Sequence, residues 1–408
     1  MKKNKKIVRC VLTFLGAVSI LILIRNKMDC LRKEEEMKIK KEIEVEDDTM
    51  GMVYQPFQMS INPVKKLMLF NFEKNPDKIY KSLELQYWVV KEQEKGYVII
   101  AYRNDEYVDV YAEETLKDAE FSQFEVCGKG LKNLTIESLG NPVFELTDKG
   151  IEASFQLKDI SERVIQVSVK EDSKKKSRKI DMVAPVGASS ENPAMLPVFA
   201  MYDFDLVRKS KSTVSIEIDG KKMIPDNFPV PIPKDYQMRY FMRYGYDCEL
   251  VEFAPAGERI LTSYNYEKKP LREEGLIANY KSMNGEIKLD SLSFENSKHN
   301  FEVKFLNAFP DIMRMKEGTR EGKFQMVMDT SMGDITGKYT VQKEQEMVTI
   351  ILEPSDGWTV KSKPIFNKIL FYKKSIFREW PKSYRYTQKI NMNTGESESK
   401  WERIEAEQ

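Results

Sequence analysis

Ser82-Leu83-Glu84-Leu85-Gln86-Tyr87-Trp88-Val89-Val90, followed after a Lys/Glu-rich turn by Gly96-Tyr97-Val98-Ile99-Ile100-Ala101-Tyr102, decides the reading of the fold. The first run alternates, with Leu83, Leu85 and Tyr87 on one side and Glu84, Gln86 and Trp88 on the other. The second is dense in β-branched and aromatic residues. Both are too short for helices and have the period of strands, so they read as a hairpin.

The same pattern extends outward. Tyr107–Tyr111, Ile151–Leu157 and Val164–Val169 alternate as half-buried antiparallel strands do. Val214–Ile218 ends at Asp219-Gly220, a tight-turn pair. Phe324–Met328, Gly337–Val341 and Met347–Leu352 form a meander-like series, and Tyr384–Ile390 with Ser399–Ile404 closes the chain as a hairpin around Asn393-Thr394-Gly395. No long amphipathic helix is visible beyond the N-terminal segment. The expected fold is mainly β, an antiparallel sandwich or barrel-like region. Four prolines at 225, 229, 231 and 233 suggest a break between two lobes, 52–224 and 225–408.

Ahead of these lobes, Ile7–Ile24 is an apolar run interrupted only by Arg9. It is long enough to nearly span a bilayer core of about 30 Å. The residues after it, Arg25-Asn26-Lys27-Met28-Asp29, offer no small-residue cleavage site, so an uncleaved anchor is expected rather than a signal peptide. Residues 1–24 then make a cytoplasmic tail and transmembrane signal anchor, and 25–51 a charged stalk. The basic tail, Lys2, Lys3, Lys5 and Lys6, favours an inside N-terminus and an extracytoplasmic bulk.

Composition narrows the chemistry. Lys+Arg 65 against Asp+Glu 64 leaves a net charge of +1, which gives no overall field for nucleic acid. The basic run Lys174–Lys179 lacks interleaved aromatics and reads as a solvated loop. One histidine, His299, excludes a multi-histidine metal site; it sits in a polar stretch that reads as an exposed turn. Four cysteines show no paired spacing, and Cys127 and Cys248 either bridge or remain separate buried thiols. Phosphate-binding loops, nucleophile elbows and zinc-protease motifs are missing. No cofactor and no metal are expected.

Three stretches carry candidate sites. In Tyr236–Glu252, read as one strand, Tyr236, Met238, Tyr240, Met242, Tyr244 and Tyr246 face one way, and Gln237, Arg239, Phe241, Arg243, Gly245 and Asp247 the other. Arginines on a sheet can clamp a carboxylate or phosphate, and tyrosines suit sugars, which singles out Arg239, Arg243, Tyr240 and Tyr244. The bland alternative is a core-facing aromatic row with solvated arginines. In Tyr202–Arg208, Asp203 and Asp205 are expected on one face about 7 Å apart, a pair of the kind glycosidic cleavage uses; Asp247 is a further acid candidate. Trp358 and Trp380 sit at apparent turns, where a ring either stacks on sugar or closes a core.

These readings converge on a membrane-tethered extracytoplasmic protein that binds a carbohydrate or another cell-envelope ligand. A carboxylate-dependent hydrolase or lyase, working through Asp203, Asp205 or Asp247, is the first alternative. A structural or assembly subunit docking through strand edges is the second.

Overall fold

The computed structural model describes residues 49–121, 129–173, 179–185, 192–227, 233–295, 298–329, 331–361, 367–368, 371–372 and 375–404. The anchor at 7–24, most of the stalk, the run 174–178 and Cys127 lie outside them. Among the described residues no helix is long and apolar enough to cross a membrane. Twenty-seven strands dominate the described residues, and an α-helix, Ser375–Glu379, is five residues long. The protein is mainly β, in several sheets. Met50–Lys281 and Glu286–Gln408 cluster into one compact unit. Thr49 and Ser282–Gly285 fall in a second unit, where the Thr49 amide donates to Ser282 Oγ at 3.0 Å.

The hairpin Tyr80–Lys91/Glu94–Arg103 sits inside a ten-stranded sheet. Its register pairs Leu83 with Ala101, Leu85 with Ile99 and Tyr87 with Tyr97, and it closes at Lys91 and Glu94. In hydrogen-bonded order the sheet runs Met59–Ile61, Asp247–Phe253, Leu196–Arg208, Arg239–Gly245, Val64–Asn71, the hairpin, Val108–Ala112 and Leu131–Ile136. Ile180–Ala184 pairs with Leu196–Arg208 off this path. Strands from both sides of the proline stretch therefore share one sheet. The pairing of Val108–Ala112 with Leu131–Ile136 is parallel, unlike the antiparallel pattern expected throughout.

Both faces of the hairpin are buried, and each feeds a different core. Leu83, Leu85, Ile99 and Ala101 enter one cluster; Trp88, Val98 and Ile100 enter another. This explains why Val98–Ala101 is continuously apolar: neither side of the strand meets water. The first core is shared with a five-stranded sheet, ordered Lys221–Lys222, Ser212–Ile218, Val164–Glu171, Gly150–Lys158, Val143–Thr147. Phe70 meets Phe155 edge-on across it at 5.8 Å. Here the alternation is strict, because Ile165, Val167 and Val169 point inward while their neighbours are exposed. Asp219 and Gly220 take positive φ values of 53° and 73°, as a two-residue hairpin turn of this hand requires.

The second core leads to a ten-stranded antiparallel meander. Its order is Gly257–Ile260, Glu396–Arg403, Tyr384–Asn391, Met347–Val360, Gly333–Glu344, Gly318–Val327, Glu302–Phe309, Glu286–Phe294, Leu276–Met283, Leu271–Glu273. Phe57 joins the two sheets, 6.0 Å from Phe253 and 5.5 Å from Phe305. Pro354-Ser355-Asp356-Gly357 is no turn. It bulges within the strand Met347–Val360, where Lys338 pairs Glu353 but Thr336 pairs Gly357. The bulge delivers Trp358 fully buried, its Nε1 donating to Met332 O at 3.1 Å. That ring closes the core and offers no face to a sugar. Trp380 is likewise buried.

One end of the first core is a closed polar network. Asp109, with no exposed surface, accepts from Tyr80 Oη (3.0 Å), Arg103 Nη1 (2.8 Å) and Asn133 Nδ2 (2.6 Å). Tyr111 Oη touches Tyr80 Oη and accepts from the Ile160 amide at 3.3 Å. Burial, chiefly, pushes the Tyr111 hydroxyl up to about 12. Beside them Arg163 bridges Asp77 (2.9 Å) and Asp159 (2.7 Å). Asp109→Ala would leave three donors facing an empty interior. A loss of about 3–5 kcal/mol is expected, read as a lower urea midpoint at unchanged slope. Lys170→Ala, at an exposed pair with Glu152, should change stability by no more than about 1 kcal/mol.

Candidate functional site

Tyr236–Glu252 does not run as one strand. Lys234–Tyr236 is a single 3-10 turn, and two strands follow, Arg239–Gly245 and Asp247–Phe253. The strand alongside, Leu196–Arg208, bends in concert: residues 196–202 pair with Asp247–Phe253, and 205–208 with Arg239–Gly245. Gly245 sits at this corner because a Cβ there would come within 2.7 Å of Cys248 Sγ and 2.9 Å of Met201 Cε. Cys248 is a free, buried thiol, and burial pushes it up from its ordinary value.

The bend undoes the expected carboxylate pair. Asp203 lies at the junction with φ of 56°, and this left-handed residue breaks the alternation. Its side chain reaches Lys179 at 2.7 Å near the surface. Asp205 instead is buried opposite Tyr244 and lies 3.5 Å from Arg239 Nη1. Burial pushes the Asp205 carboxyl up, against the pull of Arg239. Asp247 goes to a third place: Lys298 Nζ donates to one of its oxygens and His299 Nε2 lies 3.3 Å from the other. The three acids do not converge, and each is engaged by a cationic or imidazole side chain.

His299 is not an exposed turn residue. Its ring stacks on Tyr202 at 3.6 Å between centroids, and Nδ1 lies 2.9 Å from Asp329 Oδ2. Burial works to raise the Asp329 carboxyl, but the Asn300 amide, His299 and Tyr202 outweigh it and hold it below the usual carboxylate range. The cluster pins a loop of the meander against Tyr202 and Asp247, which are register partners in the other sheet. Among the described residues no three His, Cys, Asp or Glu side chains are placed to hold a metal ion.

The aromatic row divides as well. Met242 and Tyr244 are wholly buried in the first core, with Tyr240 and Tyr246 packed against it. Tyr236 and Met238, on the turn and its exit, stand 78% and 73% exposed. Their backbone is held: the Tyr236 amide donates to Pro233 O at 3.0 Å, and the Lys209 amide to Met238 O at 3.0 Å. Lys209 Nζ also reaches Lys234 O at 3.1 Å and lies 5.6 Å from the Tyr240 ring centroid.

The two arginines serve different neighbours and form no clamp. Arg239 donates to Leu206 O at 2.6 Å besides pairing with Asp205. Arg243 lies in a row with Leu69 and Glu84 across three strands. Its guanidinium stacks on Phe241 at 4.5 Å, and among the described residues it makes no hydrogen bond or ion pair. Glu84 is buried with both oxygens engaged, by Gln86 Nε2 at 2.6 Å and Tyr102 Oη at 2.9 Å. Gln86 in turn accepts from Trp88 Nε1 at 2.7 Å. Burial pushes the Glu84 carboxyl up, opposed by those two donors and by Arg243; burial pulls the Arg243 guanidinium down, opposed first by Glu84. Glu84 and Tyr102 were not singled out in the sequence. The visible signal was the polar pair Glu84 and Gln86 in a hairpin otherwise apolar on both sides.

No protein-family model, no curated protein and no solved structure matches the chain.

A raised carboxyl binds its proton more tightly folded than unfolded. Its contribution is therefore full below the ordinary glutamate value of 4.5 and is lost as pH rises. Glu84→Gln removes that titration. Melting temperatures from acid to neutral pH should fall less in the variant than in the wild type. Superimposable profiles would mean that Glu84 titrates as it does in the unfolded chain.

Proposed function

We propose that this protein is a non-catalytic binding module of the cell envelope that holds a carbohydrate chain against the segment Tyr236–Arg243. The observation that carries the reading is the display of Tyr236 and Met238, 78% and 73% exposed on a backbone locked from both sides. Exposed apolar groups rimmed by polar ones mark contact surfaces. A tyrosine offers a sugar a flat face and a hydroxyl at little cost in side-chain entropy. Lys209 borders the segment, its Nζ held by Lys234 O. The separation of Asp203, Asp205 and Asp247, each already engaged, supports binding rather than acid/base cleavage. The apolar run 7–24 and the basic tail ahead of it support a membrane tether with the β region outside.

The test uses the full chain. Bound to a panel of purified wall and capsular polysaccharides, it should retain at least one, and Tyr236→Ala should weaken that affinity about tenfold, the loss of one stacking anchor. Retention of none of them, combined with turnover of any substrate, would overturn the reading. For location, a C-terminal tag should be removed by protease from intact cells. Protection until the membrane is opened would place the β region inside.

A further inference from the structure

We infer that Arg243 is a receptor for a singly charged oxyanion carried by the ligand, a uronate carboxylate or a phosphodiester. This rests on the carbohydrate-binding reading above and names the chemistry of the chain that is bound.

Arg243 differs from the other arginines of these two sheets. Arg103, Arg163, Arg208 and Arg239 each lie within 4.0 Å of a carboxylate oxygen of this chain, at 2.8, 2.7, 3.9 and 3.5 Å. Arg243 is half-buried and has only the Phe241 ring beneath it. Taking a guanidinium partly out of water with no carboxylate of its own chain at ion-pair distance is unfavourable, and an oxyanion on a ligand would offset that loss. Glu84, the acid in its row, makes no hydrogen bond or ion pair with it. Gln86 and Tyr102 already donate to both of its oxygens, and its own burial disfavours the charged form.

The position is also rigid. Arg243 is paired with Leu206 on one side and Leu69 on the other, in the middle of the central sheet. The Phe241 ring, 4.5 Å from the guanidinium carbon, restricts where that group can lie. A single guanidinium with no ion-pair partner matches a monoanion better than a dianion. A carboxylate and a phosphodiester both carry one charge and two oxygens at fork spacing. A neutral sugar would leave the charge unmet.

The full chain is titrated with polygalacturonate, with its methyl ester, and with poly(glycerol phosphate), and affinity is read by calorimetry at fixed ionic strength. Polygalacturonate or the phosphodiester polymer should bind at least tenfold more tightly than the ester, and the tighter of the two identifies the source of the oxyanion. Arg243→Met should abolish that preference, and Arg243→Lys, which keeps the charge but not the fork, should lose most of it. Phe241→Leu should reduce it. If the wild type binds the ester as tightly as both anionic polymers, the inference is overturned while carbohydrate binding stands. If it binds none of the three nor any polysaccharide of the wider panel, both fall. The acid-to-ester comparison uses the wild type alone, so it decides the matter even if an Arg243 variant does not fold.

Discussion

The structure depends on the burial of one hairpin from both sides. Away from the exposed turn end, Tyr80–Lys91 and Glu94–Arg103 have no wet face, so their successive side chains must satisfy two cores at once. A one-residue slip in their register would exchange the contents of those cores, placing Val98 and Ile100 where Ile99 and Ala101 now meet the five-stranded sheet. The other layers are organised by this requirement. The five-stranded sheet covers one side through Phe155, Ile165 and Val167, and the meander is joined to the other through Phe57, Phe253 and Phe305.

Double burial sets strict terms for polar groups in the same sheet. Asp109 is tolerated because three donors surround it, and Glu84 because Gln86 and Tyr102 complete it. Arg163 meets two carboxylates and Arg208 lies near Glu171. Against this background a half-buried guanidinium with only an aromatic ring beneath it is a departure. Departures of this kind, where a buried polar group is left incomplete by its own chain, are where a ligand contributes most to the balance. The exposed pair Tyr236 and Met238 on the approach to the same strand has the opposite character, apolar surface left in water.

Much of the fold was legible in the residues. The first hairpin, the Asp219-Gly220 turn, the strict alternation of Val164–Glu171 and the closing hairpin around Gly395 all stand where the two-residue period put them. Less of the site was. Arg243 and Phe241 were visible as one side of a strand, but Arg239 was assigned to the same side and turns instead to Asp205. Alternation puts Asp203 and Asp205 on one face, but the left-handed residue at 203 separates them. His299 looked like a turn residue because its neighbours are polar; its partners Tyr202, Asp247 and Asp329 are distant in sequence.

By itself the sequence determined that this chain forms strands, where most of them lie and which side chains share a side within each straight run. Those properties follow from β-branched and aromatic residues at a period of two, a local regularity of the backbone. Only the tertiary structure decided which side became core, where the long strands bend, and which charges found partners. Alternation defines two sides without saying what covers either. A bend at Asp203 and Gly245, or a guanidinium left without a carboxylate, is set by chain segments distant in sequence meeting in space.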